Sequence, residues 1–183
     1  ALQAAIDIAD AMGGAPVGIG GDSAGAHLAV CALLELRERG ALDRVCAAAL
    51  TYGCFDLRMT PSMRRWGARN LVLSTPTVDW FVGNLLGADR SAAESPSVSP
   101  LLAALDGMPP ALFQVGDADP LLDDSLFMAE RWRAAGAPAS LTLWPGAFHG
   151  FDYFDDPAFG LPIAAQSHAQ TAAFLAGRFD AAA

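Results

Sequence analysis

Lysine is absent from this sequence, and all eleven basic residues are arginine. Asp and Glu together number 20, so the formal net charge is −9. The arginines form no basic patch larger than Arg64-Arg65 or Arg131 with Arg133. Proteins that bind nucleic acid or anionic membranes carry extended basic surfaces, so we expect neither partner for this chain.

Cysteine and long apolar runs are also scarce. The cysteines Cys31, Cys46 and Cys54 are odd in number and lack C-x-x-C spacing, which argues against a disulfide framework or a zinc site. No apolar stretch approaches the ~20 residues that cross a bilayer, and no signal peptide opens the sequence. We therefore predict a cytoplasmic protein with reduced thiols, no metal and no membrane span.

The chain does have enough apolar residues for one core. Its 183 residues are 53% hydrophobic and 17% charged, which predicts a single globular domain over residues 1–183. The predicted strands are Pro16–Gly20, Ala47–Tyr52, Ala111–Val115 and Ser140–Trp144, and the predicted helices are Leu2–Met12, Ala24–Arg39, Thr77–Leu86, Asp123–Ala135 and Pro162–Arg178. Their alternation is typical of an α/β fold, in which helices cover both faces of a mostly parallel sheet in three layers.

Residues 56–110 form an excursion between the second and third predicted strands. More than fifty residues exceed a normal crossover connection, so this stretch is either a small second lobe or a cover. We favour a cover that lies partly over a site at the carboxyl edge of the sheet, where α/β proteins bind ligands.

The sequence Gly21-Asp22-Ser23-Ala24-Gly25 lies between the first predicted strand and the helix that follows it. A G-x-S-x-G pattern at such a junction is typical of the nucleophile elbow of serine hydrolases. We interpret both glycines as leaving room for a close approach of strand and helix. Ser23 is the candidate nucleophile, although a glycine-rich turn alone could produce the same pattern.

A serine nucleophile needs a base, and the sequence offers three histidines. His149 follows the fourth predicted strand in a glycine-flanked loop, which places it at the same sheet edge as Ser23. His27 and His168 fall inside predicted helices, and we interpret His27 as half-buried and His168 as structural. His149 is therefore the candidate base.

The base needs an orienting acid, and four aspartates follow the third predicted strand. Asp123 and Asp124 suit the cap or first turn of the next helix. Asp119 precedes Pro120, which favours an extended backbone and a carboxylate that projects sideways. We prefer Asp119 to Asp117 as the acid.

The order Ser23, Asp119, His149 is the order found in α/β-hydrolases. The expected mechanism is attack by Ser23 on an acyl carbonyl while His149 takes its proton and Asp119 holds the imidazole. The backbone N–H of Ala24 is the expected oxyanion donor.

These motifs resemble those of the bacterial hormone-sensitive-lipase-like esterases, the GDSAG branch of the α/β-hydrolases. The resemblance runs from about Leu2 to Phe179, and it is carried by Gly21–Ala29, Ser99–Gly116, Asp119–Asp124 and His149–Phe151. It implies an α/β-hydrolase fold, serine carboxylesterase activity on short- to medium-chain acyl esters, no cofactor, and the triad Ser23, Asp119 and His149.

Other functions stay open at this point. A peptidase or amidase of the same fold would use the same three residues, and a ligand-binding or scaffold protein of this fold would use none of them for chemistry. Homo-oligomers are also compatible with the sequence. For substrate contacts, the aromatic side chains that offer apolar surface are Trp66, Trp80, Phe81, Phe148, Phe151 and Tyr153.

One family feature is missing from the 22 residues that precede Ser23. The esterases that this sequence resembles carry a His-Gly-Gly-Gly type segment there, which supplies further oxyanion donors. They also have about four more strands before the elbow. We therefore expect this sequence to be the C-terminal portion of a longer esterase, with about four strands of the fold. Because an oxyanion donor is worth ~10²–10³ in rate, we expect weak activity from this portion alone.

Overall fold

The structure is a computed structural model that describes residues 7, 11, 13–156, 158 and 160–182. The predicted helix Leu2–Met12 lies almost entirely outside these residues. The strands are β1 (Val17–Asp22), β2 (Val45–Thr51), β3 (Ala111–Ala118) and β4 (Ala139–Phe148). The helices are α1 (Ala24–Glu38), α2 (Pro61–Trp66), α3 (Thr75–Leu86), α4 (Leu122–Ala134) and α5 (Pro162–Ala182).

The four strands form one sheet in the order β1-β2-β3-β4, and every neighbouring pair is parallel. The predicted α/β architecture is therefore confirmed. Three strands run further toward their carboxyl ends than predicted, because ladder pairing continues through polar and glycine positions such as Asp22, which pairs with Thr51. The short helix α2 was not predicted, since six residues that include Arg64 and Arg65 carry too little apolar periodicity.

Alternate residues of β3 show how the two faces of the sheet are covered. Phe113 points toward α4, where its ring meets Trp132 with 5.6 Å between centroids. The next residue, Gln114, points to the other face, and its amide donates to Thr171 of α5 over 2.8 Å. This two-residue alternation places α1 and α4 on one face and α5 on the other, in three layers.

Residues 56–110 contain α2, α3 and two short 3-10 helices, and they build a small apolar cluster of their own. The buried members of this cluster are Leu57, Met63, Val78, Val82, Ala93 and Leu121. Leu121 belongs to the loop after β3, so the cluster ties this segment to the carboxyl edge of the sheet. In the part of the chain that the structure describes, no helix is both long and apolar enough to span a bilayer.

Candidate active site

Ser23 occupies the turn between β1 and α1. Its φ is +52°, in a region that side-chain-bearing residues rarely adopt. Its backbone N–H donates to the carbonyl of Thr51 over 2.9 Å, which ties the turn to the end of β2. The turn therefore holds the Ser23 hydroxyl at the carboxyl edge of the sheet, where the loops after β3 and β4 also lie.

The two glycines beside Ser23 differ in what they permit. A Cβ on Gly21 would lie 2.4 Å from the carbonyl carbon of Gly25, so the interpretation of a close backbone approach is correct there. A Cβ on Gly25 would meet nothing within 4 Å, so the same interpretation is wrong at that position. The tight point of the turn is thus the strand residue, which must leave room for the helix backbone.

The structure brings Ser23, His149 and Asp119 into one hydrogen-bonded chain. Nε2 of His149 lies 2.8 Å from Oγ of Ser23, and Nδ1 lies 2.9 Å from Oδ2 of Asp119. His149 is 6% exposed and Asp119 is 1% exposed. The ring is therefore held between a hydroxyl and a carboxylate, shielded from water.

The chemistry of the partners assigns the proton on the imidazole. A carboxylate only accepts, so Nδ1 of His149 carries the hydrogen that Asp119 accepts. Nε2 then has its lone pair free to accept from the hydroxyl of Ser23. The other oxygen of Asp119, Oδ1, accepts from the backbone N–H of Leu121 over 2.8 Å, so both carboxylate oxygens are fixed.

The three other aspartates after β3 make different contacts. Asp117 is exposed, and its Oδ1 accepts from the backbone N–H of Gly146 over 2.7 Å, away from His149. Asp123 and Asp124 lie in the first turn of α4, as predicted. Of the four aspartates, Asp119 is therefore the one in contact with the imidazole.

Asp124 has a structural role that the sequence reasoning missed. Its carboxyl group is 1% exposed and accepts from the backbone N–H groups of Phe55 and Asp56 and from the hydroxyl of Thr60 at 2.7, 2.9 and 2.6 Å. Burial raises its pKa to about 7, against the opposing effect of these hydrogen bonds. The sequence could have indicated that Asp124 is buried, because it precedes Met128 and Trp132 by four and eight residues and so shares their buried face of α4.

Tyr52 is a second residue that was missed. It follows β2 with φ +35°, and its buried ring lies 4.7 Å from the imidazole of His149 between centroids, at an angle of 58°. Its hydroxyl donates to Asp152, three residues beyond His149. Burial, followed by the Asp152 contact, raises the pKa of Tyr52 far above its usual range, so the phenol stays protonated. Tyr52 thus contacts both the imidazole and the loop that carries it.

The remaining histidines do not touch Ser23 through their side chains. His27 is half-buried in α1, as predicted, and its Nδ1 lies 2.7 Å from the carbonyl oxygen of Cys54. Burial lowers the pKa of His27, although the carbonyl contact opposes that effect. His168 is half-exposed on α5, 3.5 Å from Asp155 and 3.9 Å from Asp152.

An apolar cavity of about 530 Å³ opens beside Ser23. Its walls come from α1, from the loop after β2 and from the segment 57–85, together with Leu121. The lining residues are Ser23, Ala24, His27, Leu28, Cys54, Leu57, Leu73, Val78, Phe81, Val82, Leu85 and Leu121. Such a space suits the apolar portion of a small molecule bound at the serine.

Of the aromatic residues that we considered for substrate contacts, Phe81 lines this cavity. Trp80 lies against Phe81 but is 64% exposed, and Phe151 is fully buried with its ring against that of Tyr52. Ala24 also lines the cavity, as the first residue of α1. Its backbone N–H is one of the first N–H groups of a helix, which have no partner inside the helix.

With this geometry the chain can be compared with known proteins. Residues 1–153 match the family described as alpha/beta hydrolase fold, so the chain belongs to that family. An esterase of Acinetobacter venetianus is 33% identical over 138 residues, which are 75% of this chain and 45% of that protein. The carboxylic ester hydrolase LipN of Mycobacterium tuberculosis is 35% identical over 140 residues, which are 74% of this chain and 37% of LipN.

Solved structures give the same result. An esterase from the bacterial hormone-sensitive lipase family superposes with a TM-score of 0.81 and 32% identity, across 93% of this chain and 57% of its own. An esterase of Pyrobaculum calidifontis superposes with a TM-score of 0.84 and 29% identity, across 93% of this chain and 56% of its own. The resemblance to hormone-sensitive-lipase-like esterases is thus confirmed, and the chain spans about half the length of these relatives.

Proposed function

We propose that this chain carries the catalytic triad of a serine carboxylesterase, with Ser23 as nucleophile, His149 as general base and Asp119 as the acid that orients it. The observation that most supports this proposal is the continuous hydrogen-bonded chain from Asp119 through His149 to Ser23, which ends at an apolar cavity. The substrates are small-molecule esters with short- to medium-chain acyl groups. The reaction needs no cofactor, because nucleophile, base and acid are all side chains.

In the first half of the reaction, Oγ of Ser23 attacks the ester carbonyl carbon while its proton moves to Nε2 of His149. The carbonyl π electrons move to oxygen, and the resulting oxyanion accepts a hydrogen bond from the N–H of Ala24. The intermediate then expels the alkoxide, which takes the proton from Nε2 and leaves as the alcohol. Ser23 is left as an acyl ester.

In the second half, water takes the place of the alcohol. Nε2 of His149 removes a proton from water, the hydroxide attacks the acyl carbon, and Ser23 leaves with the proton that His149 returns. The carboxylate of Asp119 stabilises the imidazolium in both halves. The products are a carboxylic acid and the regenerated serine.

The segment 56–110 has a proposed role in this reaction as a partial cover of the site within one domain of residues 1–183. Support comes from the cavity walls, since Leu73, Val78 and Val82 of this segment face the same space as Ser23. A cover of this kind shields the acyl group from water while the ester is bound. Cytoplasmic location and the oligomeric state stay predictions.

Active-site labelling tests the nucleophile without requiring turnover. A fluorophosphonate forms a stable bond to a serine that is activated by a base. We expect one label per chain in the wild type and none in Ser23→Ala, with a strong reduction in His149→Ala. Wild-type protein that is folded by circular dichroism but takes no label contradicts the proposal for this chain. That result favours a ligand-binding or scaffold role, or a portion whose serine needs the rest of a longer esterase to react.

Turnover separates the ester from the amide function. The matched pair is p-nitrophenyl butyrate and butyryl p-nitroanilide, with Ser23→Ala as the background control. We expect serine-dependent hydrolysis of the ester and a much lower kcat/KM for the anilide. A higher kcat/KM for the anilide identifies an amidase of the same fold.

A further inference from the structure

His27 introduces a polar ring into a cavity that is otherwise almost entirely apolar. In the described wall of the cavity, the polar side chains are Ser23, His27 and the thiol of Cys54. The hydroxyl of Ser23 is already engaged with His149. Apart from Ser23, His27 is therefore the residue of this wall with the strongest hydrogen-bonding side chain.

The contacts of His27 define which nitrogen carries its proton. Nδ1 lies 2.7 Å from the carbonyl oxygen of Cys54, which only accepts, so Nδ1 is the protonated nitrogen. Burial lowers the pKa of His27, so the ring is neutral at pH 7. A neutral imidazole with hydrogen on Nδ1 presents a lone pair on Nε2, which is then an acceptor.

Nε2 of His27 makes no hydrogen bond to any of the residues that the structure describes. His27 shares the cavity wall with apolar residues, among them Leu28, Leu57 and Val78. When an occupant displaces water from this cavity, an acceptor on the wall favours an occupant that donates a hydrogen bond to it over one that does not. The cavity is therefore adapted to an occupant that is apolar along most of its length and bears one donor.

The position of His27 limits where that donor lies. His27 is four residues after Ser23 in the elbow helix, and its backbone N–H bonds to the carbonyl of Ser23 over 3.3 Å. Ser23 and His27 line the same cavity, and four residues advance a helix by about 6 Å, so the two side chains border neighbouring parts of it. The donor that reaches His27 is therefore a group a few atoms away from the reacting carbonyl carbon.

We infer that Nε2 of His27 accepts a hydrogen bond from a hydroxyl group of the ester portion bound in the cavity, so that the chain prefers hydroxy-substituted esters. The inference rests on the proposed function, since it concerns the substrate of the same site. It assigns His27 a role in specificity and none in the chemical step.

Two matched substrate pairs test the preference. The first pair is ethyl 3-hydroxybutyrate and ethyl 3-methylbutyrate, which differ by a hydroxyl or a methyl group on the acyl side. The second pair is 2-hydroxyethyl butyrate and propyl butyrate, which differ in the same way on the alcohol side. We expect the wild type to favour the hydroxylated member of one pair by about three- to tenfold in kcat/KM. The pair that shows the preference identifies which portion occupies the cavity.

The variant His27→Phe keeps a planar ring and removes the acceptor, together with the Nδ1–H that the Cys54 carbonyl accepts, so it is expected to bring that ratio to about one. Val78→Ala alters the apolar wall and is the control, which is expected to change both members of a pair alike. Equal kcat/KM values for both pairs in the wild type, or a preference that survives in His27→Phe, overturn the inference.

Binding to Ser23→Ala tests the same contact without turnover. The ¹⁵N resonances of His27 report the tautomer, and a donor at Nε2 shifts its signal. We expect a shift with one of the two hydroxylated esters and none with its methyl counterpart. The absence of a shift with either hydroxylated ester overturns the role of His27 even if the wild type hydrolyses esters, whereas a shift without any wild-type turnover counts against the proposed function alone.

Discussion

In the proposed mechanism, the carboxylate of Asp119 acts by fixing the position of one proton on the imidazole of His149. In Asp119→Asn, the amide oxygen keeps the hydrogen bond from Leu121 and the amide NH₂ faces Nδ1 of His149. Nδ1 must then accept, so the ring proton moves to Nε2 and the imidazole can no longer take the proton of Ser23. We expect kcat for p-nitrophenyl butyrate to fall by about 10⁴, with little change in KM.

Asp117→Asn is the matched control for this change. Asp117 lies two residues away on the same strand end, and an amide oxygen can still accept from Gly146. Its kcat is expected to stay near the wild-type value. Similar losses in the two variants would mean that the strand end, rather than the carboxylate of Asp119, limits the reaction.

We expect the ring of Tyr52 to contribute more to kcat than its hydroxyl does. Tyr52→Phe keeps the ring beside His149 and loses the bond to Asp152, whereas Tyr52→Leu loses the aromatic surface as well. Because a small displacement of the imidazole weakens proton transfer, we expect Tyr52→Leu to lower kcat by about ten- to hundredfold. Tyr52 does not line the cavity, so KM is expected to change little.

The comparison of Tyr52→Phe with Tyr52→Leu decides between these two contributions. Steady-state kinetics on p-nitrophenyl butyrate should show most of kcat retained in Tyr52→Phe. Equal losses of kcat in the two variants would instead assign the effect to the hydroxyl and its bond to Asp152.

The contact between Ser23, His149 and Asp119 is predictable because each residue lies in a sequence motif that is typical of one proposed role. Tyr52 and Asp124 are not, because their functions depend on partners that are distant in the sequence. The Tyr52 hydroxyl bonds a residue 100 positions away, and the Asp124 carboxyl bonds a backbone N–H 69 positions away. No local sequence pattern indicates such a pairing, so it can be identified only from the folded structure.

At the scale of the elements, the junction of β1 and α1 depends on one glycine. In Gly21→Ala the new methyl group would lie 2.4 Å from the Gly25 backbone, so strand and helix must separate. We expect the free energy of unfolding to fall by about 1–3 kcal/mol, as for other overpacked sites.

Gly25→Ala is the control, because open space surrounds its new methyl group and alanine favours the helix by about 1 kcal/mol. Its melting temperature is expected to equal or exceed that of the wild type. Thermal unfolding followed by circular dichroism measures both. A stable Gly21→Ala protein would show that the turn can relax around a side chain.

Asp124 links the first turn of α4 to the loop after β2, and this link depends on pH. Its pKa is about 7 in the folded protein and about 3.9 in an unfolded chain. Between these values the folded state keeps a proton that the unfolded state has released, so stability falls as the pH rises through this range. Urea unfolding at pH 5 to 8 is expected to show a loss of about 3 kcal/mol in the wild type relative to Asp124→Asn.

The amide of Asp124→Asn can accept the two backbone hydrogen bonds through its oxygen and does not titrate. The variant therefore separates the effect of protonating residue 124 from the effect of its packing and hydrogen bonds. If the two proteins lose stability in parallel from pH 5 to pH 8, the pH dependence arises elsewhere in the chain.

The existence and type of the long elements follow from local patterns, and their ends do not. For β1, apolar periodicity stops at the glycines, yet pairing with β2 carries the strand to Asp22. For β4, the strand continues past Pro145 and Gly146 to Phe148, which brings His149 to the sheet edge. Strand ends are set by the neighbouring strand, and that information is not local.

At the scale of the whole chain, the cavity lies where two separately packed regions meet. One region is the sheet with α1 and α4, and the other is the cluster of the segment 56–110. The length of the segment 56–110 alone predicts that it has a role beyond connecting two strands, such as covering the sheet edge, because a crossover connection needs far fewer residues. The shape of the space depends on how α3 faces α1, which only the assembled chain defines.

The cavity predicts a dependence of rate on acyl chain length. Each methylene that enters an apolar space contributes about 0.8 kcal/mol, or about fourfold in kcat/KM if the gain is realised in the transition state. Val82 is 4% exposed and lines the cavity, so Val82→Phe would fill part of it. We expect kcat/KM to rise from p-nitrophenyl acetate to the hexanoate in the wild type and to stop rising earlier in Val82→Phe.

Asn84→Ala is the control on the same helix, because Asn84 is exposed and its amide donates a hydrogen bond to the backbone carbonyl of Trp80. Its chain-length profile is expected to match that of the wild type. If the rate does not increase with chain length, or if Val82→Phe shows the wild-type increase, the acyl chain lies outside this cavity. The alcohol portion of the ester would then be the group that the apolar walls accommodate.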